Sequence, residues 1–384
     1  MKKITKISFQ LHSYLGLFFG VLYLFFGISG ALLVFKKDIE YFNNPPMHYC
    51  VKGGKTISLN QMYHKVSERY PGARQIMLHT FPRNTQDTYE FMIFNYQDNV
   101  ADNYLYCCMV DPYTGKIVKE GNFSSFESPF FRWLYLAHYS LLIDKPGRLI
   151  TAIAAIALLL NLITGVIIYR KKIFATLMFR EKLNRKSPRT LNSSLHRIIG
   201  VWTLLFNFIL FFTGFWMNKS LFLPAEWELI PKKEQNYQAK ADIDQVIKHA
   251  REISNFRPIA VKIPADKKND IIVSGEFSNT HNPLYLGKGS DVYYDSDNGN
   301  WIKTIRIEEK PFSDRFYWMM KQIHRGDYDN LFIKILYVFA GFSPAILSIT
   351  GFFLWKRKER KKERKKERKK ESRLLKNTND MSFT

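Results

Sequence analysis

The sequence has little cysteine, and its long hydrophobic runs have no acidic or basic residue in their interiors. Its 384 residues include only three cysteines. It contains no Walker loop, no G-x-G-x-x-G fingerprint and no H-E-x-x-H motif, so nothing in it supports nucleotide binding or zincin chemistry. The absence of charge inside the runs also argues against a transporter that is coupled to protons or ions.

Four runs of the sequence are long and apolar enough to cross a bilayer, because a spanning helix needs about 20 residues. They cover residues 11–35, 149–169, 198–217 and 331–355. The mean hydropathy of the whole chain is −0.22, which is too polar for a protein that lies wholly in lipid. We therefore expect the two long blocks between the runs, 36–148 and 218–330, to face water.

The formal net charge of +23 is concentrated in three segments. Basic residues crowd the N-terminus at 1–10, the loop 170–197 and the tail 356–384. If the four spans alternate, all three segments lie on one side of the membrane, and the positive-inside rule places both termini in the cytoplasm. A basic surface for nucleic acid would leave this alternation unexplained, so we expect no nucleic-acid partner. The first run has no cleavage site after it and is expected to be an uncleaved anchor.

The chain repeats itself in tandem. LHSYLG at 11–16 returns as LHRIIG at 195–200, FRWLYLAH returns as FYWMMKQIH, and LITG at 162–165 returns as SITG at 348–351. Each half thus has the order span, water-facing block, span. The sequence predicts a four-helix transmembrane bundle from a tandem duplication, with parallel repeats related by an axis along the membrane normal.

Each water-facing block has the pattern of a small α+β domain. A helix stripe, at 59–70 in the first block and 243–253 in the second, precedes short β-like runs. The turn DPYTG at 111–115 combines a proline that fixes φ with a glycine that accepts positive φ. The second block has DSDNG at this place, residues 295–299.

The three cysteines, Cys50, Cys107 and Cys108, all fall in the first block. One pair of them could form a disulfide in an oxidising compartment. Cys107 and Cys108 are poor partners for each other, because bridging adjacent residues strains the backbone. We expect these two to alternate along a strand instead.

Glycines recur on the first span. Gly30 follows His12 by 18 residues, which is five turns of a straight helix, and Gly16, Gly20 and Gly27 lie near the same line. Such a face admits another helix or a flat cofactor. Gly214 follows His196 by the same interval, and a hydroxyl residue precedes each of the two matched glycines.

Two amides and a proline interrupt the apolar pattern of the spans. Asn161 and Asn207 can hydrogen-bond between helices or to a cofactor, and the structural role is the expected one. Pro344 predicts a kink in the fourth span.

Four histidines stand at the ends of the spans. If the spans alternate, His12 and His196 lie at the cytoplasmic side, and His138 and His324 lie at the outer side. Two facing pairs of imidazoles would supply the axial ligands of two b-type haems, one near each leaflet. The alternative is that each is only a polar residue at a polar depth. No C-x-x-C-H motif is present, so a haem here would not be attached through it.

At LHSYLG, at VDPYTGKIV, and at LITGVIIYRKK with SITGFFLWKRK, the sequence resembles the PepSY-associated transmembrane helix family over residues 6–358. The resemblance implies a bacterial inner-membrane protein with four main spans and two PepSY-like periplasmic domains. Some members are ferrisiderophore reductases that resemble di-haem cytochromes. It therefore implies haem ligands at His12, His196, His138 and His324, and iron as the substrate. The DSDNG turn departs from the family pattern.

These observations together predict a membrane electron carrier with two haem b groups. It would take electrons from an unidentified donor and reduce ferric iron, as free ion or siderophore complex, on the periplasmic side. The alternative is a membrane-anchored PepSY module that binds a ligand or regulates a peptidase without redox activity. The basic tail could rest on anionic lipid.

The predicted order is N-terminus 1–10, span 11–35, domain 36–148 with an interfacial helix 128–143, span 149–169, loop 170–197, span 198–217, domain 218–330 with an interfacial helix 312–324, span 331–355 and tail 356–384.

Overall fold

The computed structural model describes residues 2–36, 38–39, 50, 53–82, 84–95, 107–121, 130–228, 238–264, 269–326 and 330–381. The chain forms two compact units. The first comprises Met1–Ala31, Ile153–Phe212 and Leu331–Thr384, and the second comprises Leu32–Ala152 and Thr213–Asn330.

Helices and strands follow one another in the same order in both halves of the chain. The helices are α1 Lys2–Phe18, α2 Gly20–Leu33, α3 Leu59–Arg69, α4 Phe130–Ser140, α5 Asp144–Tyr169, α6 Ile173–Leu177, α7 Pro188–Trp202, α8 Leu204–Asn218, α9 Ile243–Glu252, α10 Phe312–Arg325 and α11 Leu331–Met381. The strands are β1 Ala73–Thr80, β2 Tyr89–Asn95, β3 Cys107–Val110, β4 Ile117–Gly121, β5 Phe256–Pro264, β6 Ile271–Phe277, β7 Ser290–Tyr294 and β8 Trp301–Ile305. Short 3₁₀ segments lie at Lys219–Phe222, Pro224–Trp227, Pro283–Tyr285 and Ile307–Glu309.

The apolar helices are long enough and numerous enough for the chain to cross a membrane more than once. Three of them, Asp144–Tyr169, Leu204–Phe222 and Leu331–Arg368, are each long and apolar enough to span, within the described residues. The first predicted span is a bent pair, Lys3–Phe18 with Gly20–Leu33, and it makes the fourth if the pair counts as one span.

Two predictions about the spans are wrong. The first span is not one straight helix, because it bends by 65° next to Phe19. Eighteen residues equal five turns only along a straight axis, so Gly30 is not placed directly above His12. The third apolar helix is Leu204–Phe222 rather than 198–217, and His196 lies on the separate helix α7. Both interruptions, at Phe19 and Thr203, come seven residues after the histidine of their repeat.

Glycine brings α2 and α11 into close contact within the first unit. A methyl group at Gly27 would lie 2.9 Å from the backbone N of Ala345 and the backbone O of Gly341. At Gly341 it would lie 3.2 Å from the backbone of Ala31. Gly27 therefore serves helix packing, whereas no atom lies within 4 Å of such a methyl group at Gly20.

A polar pair joins α8 and α11 inside the bundle. The Asn207 Nδ2 donates to Ser343 Oγ at 2.9 Å, and Asn207 is fully buried. Ser343 Oγ also lies 2.7 Å from the carbonyl O of Ala340. Pro344 has no N–H to bond to this carbonyl, so the serine hydroxyl can satisfy the group that the proline leaves free. Asn207 thus has the structural role that we expected.

The strands of both halves form one eight-stranded antiparallel sheet, not two separate sheets. Their order is β4-β3-β2-β1-β5-β6-β7-β8. The halves join where β1 pairs with β5, with Ile76 opposite Ile263 and Leu78 opposite Val261. These side chains belong to one buried core that also contains the apolar stripes of α3 and α9. The sequence predicted two domains, each with its own strands. Its pattern identifies strands but does not show that β1 of the first half pairs with β5 of the second.

The helices α3 and α9 cap each other at their N-termini. The carboxylate of Asp244 accepts from the backbone N–H groups of Leu59 and Asn60, both at 2.9 Å. The side-chain O of Asn60 accepts from the backbone N–H of Ile243 at 3.3 Å. Each cap satisfies donors that a helix start leaves without intrahelical partners. Asn60 and Asp244 occupy matching positions of the two repeats.

The two turns that differ in sequence have the same hydrogen bonds. Asp111 Oδ1 accepts from the Tyr113 N–H at 2.8 Å, and Asp295 Oδ1 accepts from the Asp297 N–H at 2.9 Å. The closing glycine of each turn has positive φ, 68° and 75°. The DSDNG departure therefore leaves the turn geometry intact.

The neighbouring cysteines alternate along β3, as the sequence predicted. Cys108 belongs to the main core, and Cys107 contacts Met109 in a separate buried cluster. Cys50, Cys107 and Cys108 are all free thiols.

A helix is present where each interfacial helix was expected. α10 ends at Gly326, whose φ of 56° is the left-handed conformation that glycine favours. After α4 the chain turns at Leu141 and Leu142, which both have positive φ, and α5 begins at Asp144. Pro146 therefore lies in the first turn of α5. A proline is tolerated in the first turn of a helix, where its missing N–H costs nothing.

Replacing Gly27 with alanine is expected to destabilise the protein by about 1–3 kcal/mol, because the methyl group meets backbone that cannot rotate away. The thermal unfolding midpoint of the detergent-solubilised protein is the measurement. Gly20→Ala is the matched control, since open space surrounds it in the same helix. Equal midpoints for the two variants would show that α2 and α11 are not in close contact.

Candidate functional site

His12 and His196 meet within the first unit. Their imidazole centroids lie 6.1 Å apart, and the two rings are nearly perpendicular at 85°. α1 carries His12, and α7 carries His196. α7 begins at a capping box formed by Ser187 and Thr190, with Pro188 at its first position, so its start is well specified locally.

His138 and His324 meet within the second unit. Their imidazole centroids lie 6.4 Å apart, with an angle of 46° between the rings. α4 carries His138 near its C-terminal end, and α10 carries His324 in its last turn. The structure thus brings together both pairs of histidines that the sequence singles out.

The separation of the rings fits one iron between the two members of each pair. An imidazole nitrogen lies about 2 Å from a bound metal ion and about 1.1 Å from its own ring centre, so two imidazoles on opposite sides of one iron have centroids about 6.2 Å apart. The two measured separations, 6.1 Å and 6.4 Å, lie on either side of this value. Within the described residues, no hydrogen bond joins the rings of His12 and His196.

A threonine holds the Nδ1 atom of three of the four histidines. Thr164 Oγ1 lies 3.2 Å from His12 Nδ1, and the carbonyl O of Asn161 lies 3.0 Å from it. Thr350 Oγ1 lies 2.9 Å from His196 Nδ1. In the second unit, Thr213 Oγ1 lies 2.9 Å from His324 Nδ1. In each case the threonine lies on a different helix from its histidine.

These contacts select the tautomer that leaves Nε2 available to a metal. The Thr164 hydroxyl can donate to the carbonyl O of Leu160 at 2.8 Å, and the Thr350 hydroxyl to that of Ile346 at 2.8 Å. Each threonine oxygen is then an acceptor for Nδ1–H. The carbonyl of Asn161 can only accept, which requires the same tautomer of His12. An Nδ1–H that is held in this way orients an imidazole and strengthens Nε2 as a ligand.

A glycine follows each of these threonines and lies against the imidazole ring. A methyl group at Gly165 would lie 3.5 Å from His12 Cε1, and one at Gly351 would lie 3.4 Å from His196 Cε1. The space at Gly214 is tighter, with 3.1 Å to His324 Cε1. The threonine–glycine dipeptide is therefore the structural unit that receives a histidine.

The donor set of each pair suits a porphyrin-bound iron. Within the part of the chain that the structure describes, no group of three or more His, Cys, Asp and Glu side chains is placed to bind one metal ion. A porphyrin supplies four nitrogen ligands to iron, so a haem needs only two axial side chains from the protein. Two imidazoles with the separation observed here meet that need.

The model of one protein family, described as PepSY-associated TM region, matches residues 9–358. The match includes all four histidines and the three threonine–glycine dipeptides that hold them. The chain belongs to this family. No curated protein matches the sequence.

Burial keeps the His138 imidazole of this PepSY-associated TM protein neutral. Desolvation of the ring, and secondly the nearby His324, lower the pKa of His138 to about 3. At neutral pH the imidazole therefore keeps a nitrogen lone pair, which a protonated ring would lack.

The threonines are the site residues that sequence reasoning missed in this family member. LITG and SITG identify a repeat, but the repeat by itself assigns no role to Thr164 or Thr350. The signal was present in the sequence, because Ser or Thr precedes glycine at four matched places: Ser29-Gly30, Thr164-Gly165, Thr213-Gly214 and Thr350-Gly351. A hydroxyl that recurs at one position of a repeat, near a helix that bears a histidine, indicates a partner for the ring.

Replacing Thr350 with valine is expected to weaken retention of a metal cofactor by His196 about tenfold, since losing an outer-shell partner typically costs 10–100-fold in metal affinity. The rate of haem loss to excess apomyoglobin measures this for the haem-loaded protein. Thr350→Ser keeps the hydroxyl and should release haem at the wild-type rate. Equal rates for the valine and serine variants would contradict the role assigned to the hydroxyl.

Proposed function

We propose that the protein holds two b-type haems and carries electrons across the bacterial inner membrane to ferric iron on the periplasmic side. The observation that supports this proposal most is the separation of the imidazoles, 6.1 Å and 6.4 Å, in two separate pairs. One iron held between the two rings of each pair would account for the similar separation in both pairs.

The chain's own residues would provide ligands, orientation and a low dielectric. When bound, haem supplies a one-electron couple whose potential depends on axial ligands, hydrogen bonds and burial. His12 and His196 would hold one group, and His138 and His324 the other. Thr164, Thr350 and Thr213 orient three of these ligands through Nδ1.

The direction of transfer follows from the predicted topology. In this proposal an electron enters at the His12 and His196 pair from a cytoplasmic donor and leaves at the His138 and His324 pair. One electron converts Fe(III) to Fe(II), and the oxygen ligands of a siderophore hold Fe(II) less tightly, so the metal is released. The resemblance to ferrisiderophore reductases supports iron as the substrate, and the basic segments at 1–10, 170–197 and 356–384 support the orientation.

A visible spectrum of protein purified from haem-replete cells tests the proposal. We expect a Soret band, with α and β bands on reduction, and a haem content of about two per chain by pyridine haemochrome assay. His12→Ala and His324→Ala should each remove about half of the haem, because each breaks one pair of axial ligands. The double variant should be colourless.

The control is His281→Ala, which removes an exposed histidine of the second unit. It should leave the haem content unchanged. A colourless wild-type protein would overturn the proposal and favour the membrane-anchored PepSY binding module. A His12→Ala variant that keeps its full haem content would show that this pair is not a ligand pair.

A further inference from the structure

A cavity of about 720 Å³ opens among the helix ends of the first unit. It is lined by residues from α1, from the turn that follows α5, and from α11. Four of its lining side chains are basic: Lys6, Arg170, Lys171 and Lys358. Among the described residues that line it, none is acidic.

The basic side chains of this cavity are positioned by neutral neighbours. Arg170 Nη1 donates to Thr5 Oγ1 at 3.2 Å, so this guanidinium is anchored to α1. Lys358 Nζ lies 4.3 Å from the centre of the Phe9 ring, which is a cation–π contact. Within the described residues, no ion pair joins any of the four to an acid, and the nearby Glu359 pairs with Lys362 instead.

Four like charges around one cavity repel each other, and an anion placed among them removes that cost. Phosphate suits this arrangement, because guanidinium and ammonium groups bind it through charge-assisted hydrogen bonds. Basic pockets between the cytoplasmic ends of transmembrane helices are typical sites for anionic lipid head groups.

The position of the cavity along the helices favours a lipid over a soluble anion. Arg170 and Lys171 directly follow the apolar helix α5, and Lys358 follows the apolar part of α11. These residues therefore lie at the depth where phospholipid phosphates lie. Next to Lys6, the side chains of Ile4 and Ile7 are 59% and 55% exposed, so apolar surface is available to acyl chains.

We propose that this cavity binds the phosphate head group of an anionic phospholipid. Lys6, Arg170, Lys171 and Lys358 contact the phosphate, and Phe9 forms an apolar wall. The site is distinct from the histidine pairs, and it requires no haem. Of the basic tail it includes only Lys358, and the tail charges beyond that residue follow one exposed helix rather than surrounding a cavity.

Native mass spectrometry of the full chain, with phosphatidylglycerol titrated into the detergent solution, tests this proposal. We expect one phosphatidylglycerol to bind more tightly than any further one, and phosphatidylcholine to show no such step. Lys6→Gln with Arg170→Gln should weaken the first step about tenfold or more, because it removes two of the four cations that attract the lipid phosphate. Lys171→Gln with Lys358→Gln should do the same without removing the hydrogen bond to Thr5.

The matched control is Arg364→Gln with Lys365→Gln, which removes the same charge from the exposed helix beyond the cavity. It should leave the first binding step unchanged. Equal weakening in the cavity and control variants would reduce the effect to net charge and overturn the proposal. A second result would also overturn the proposal. If millimolar inorganic pyrophosphate displaces the lipid, and the protein shows no preference for phosphatidylglycerol over phosphatidylcholine, the cavity binds a soluble phosphate compound instead.

Discussion

The hydrogen bond between a threonine hydroxyl and an imidazole Nδ1 on another helix is the interaction on which the candidate sites depend. A histidine side chain has two rotatable bonds, and its own helix does not fix where Nε2 points. The contacts of Thr164, Thr350 and Thr213 determine it from a second helix. The glycine that follows each threonine lies against the ring, and at Gly214 a methyl group would crowd it. Position and tautomer thus come from one residue on a neighbouring helix.

The second unit adds a different constraint, because backbone and helix caps join its two halves. β1 and β5 share backbone hydrogen bonds, and Asn60 and Asp244 each cap the helix of the other half. An Asp at a helix N-terminus also interacts favourably with the helix dipole. The sheet core and the caps therefore fix the register of one repeat against the other.

Several features followed from the sequence alone, because they depend on local patterns. Apolar runs located the spans, and alternation of Cys107 and Cys108 followed from a β-like run. The repeat LHSYLG and LHRIIG located His12 and His196, and the topology grouped the four histidines as the structure groups them. The DSDNG turn kept its geometry because Asp and Gly retain their positions.

Other features could not be predicted, because they depend on contacts between distant segments. The bend beside Phe19 leaves the apolar pattern unchanged, so a straight helix was the natural expectation. The pairing of β1 with β5 joins edges far apart in sequence, and alternation identifies a strand without identifying its neighbour. The partnership of Thr350 with His196 required knowing which helix lies beside α7.

The junction between β1 and β5 has a consequence for how such a chain could arise. Equivalent strands of the two repeats meet there in antiparallel register, and equivalent residues cap each other's helices. Each histidine pair likewise takes one member from each repeat. A single repeat therefore carries an edge that is complementary to itself and one member of each histidine pair, so two copies of a half-length ancestor could assemble the whole as a symmetric dimer. In the single chain the two copies need not be identical, and Tyr23 and Asn207 differ at one matched position.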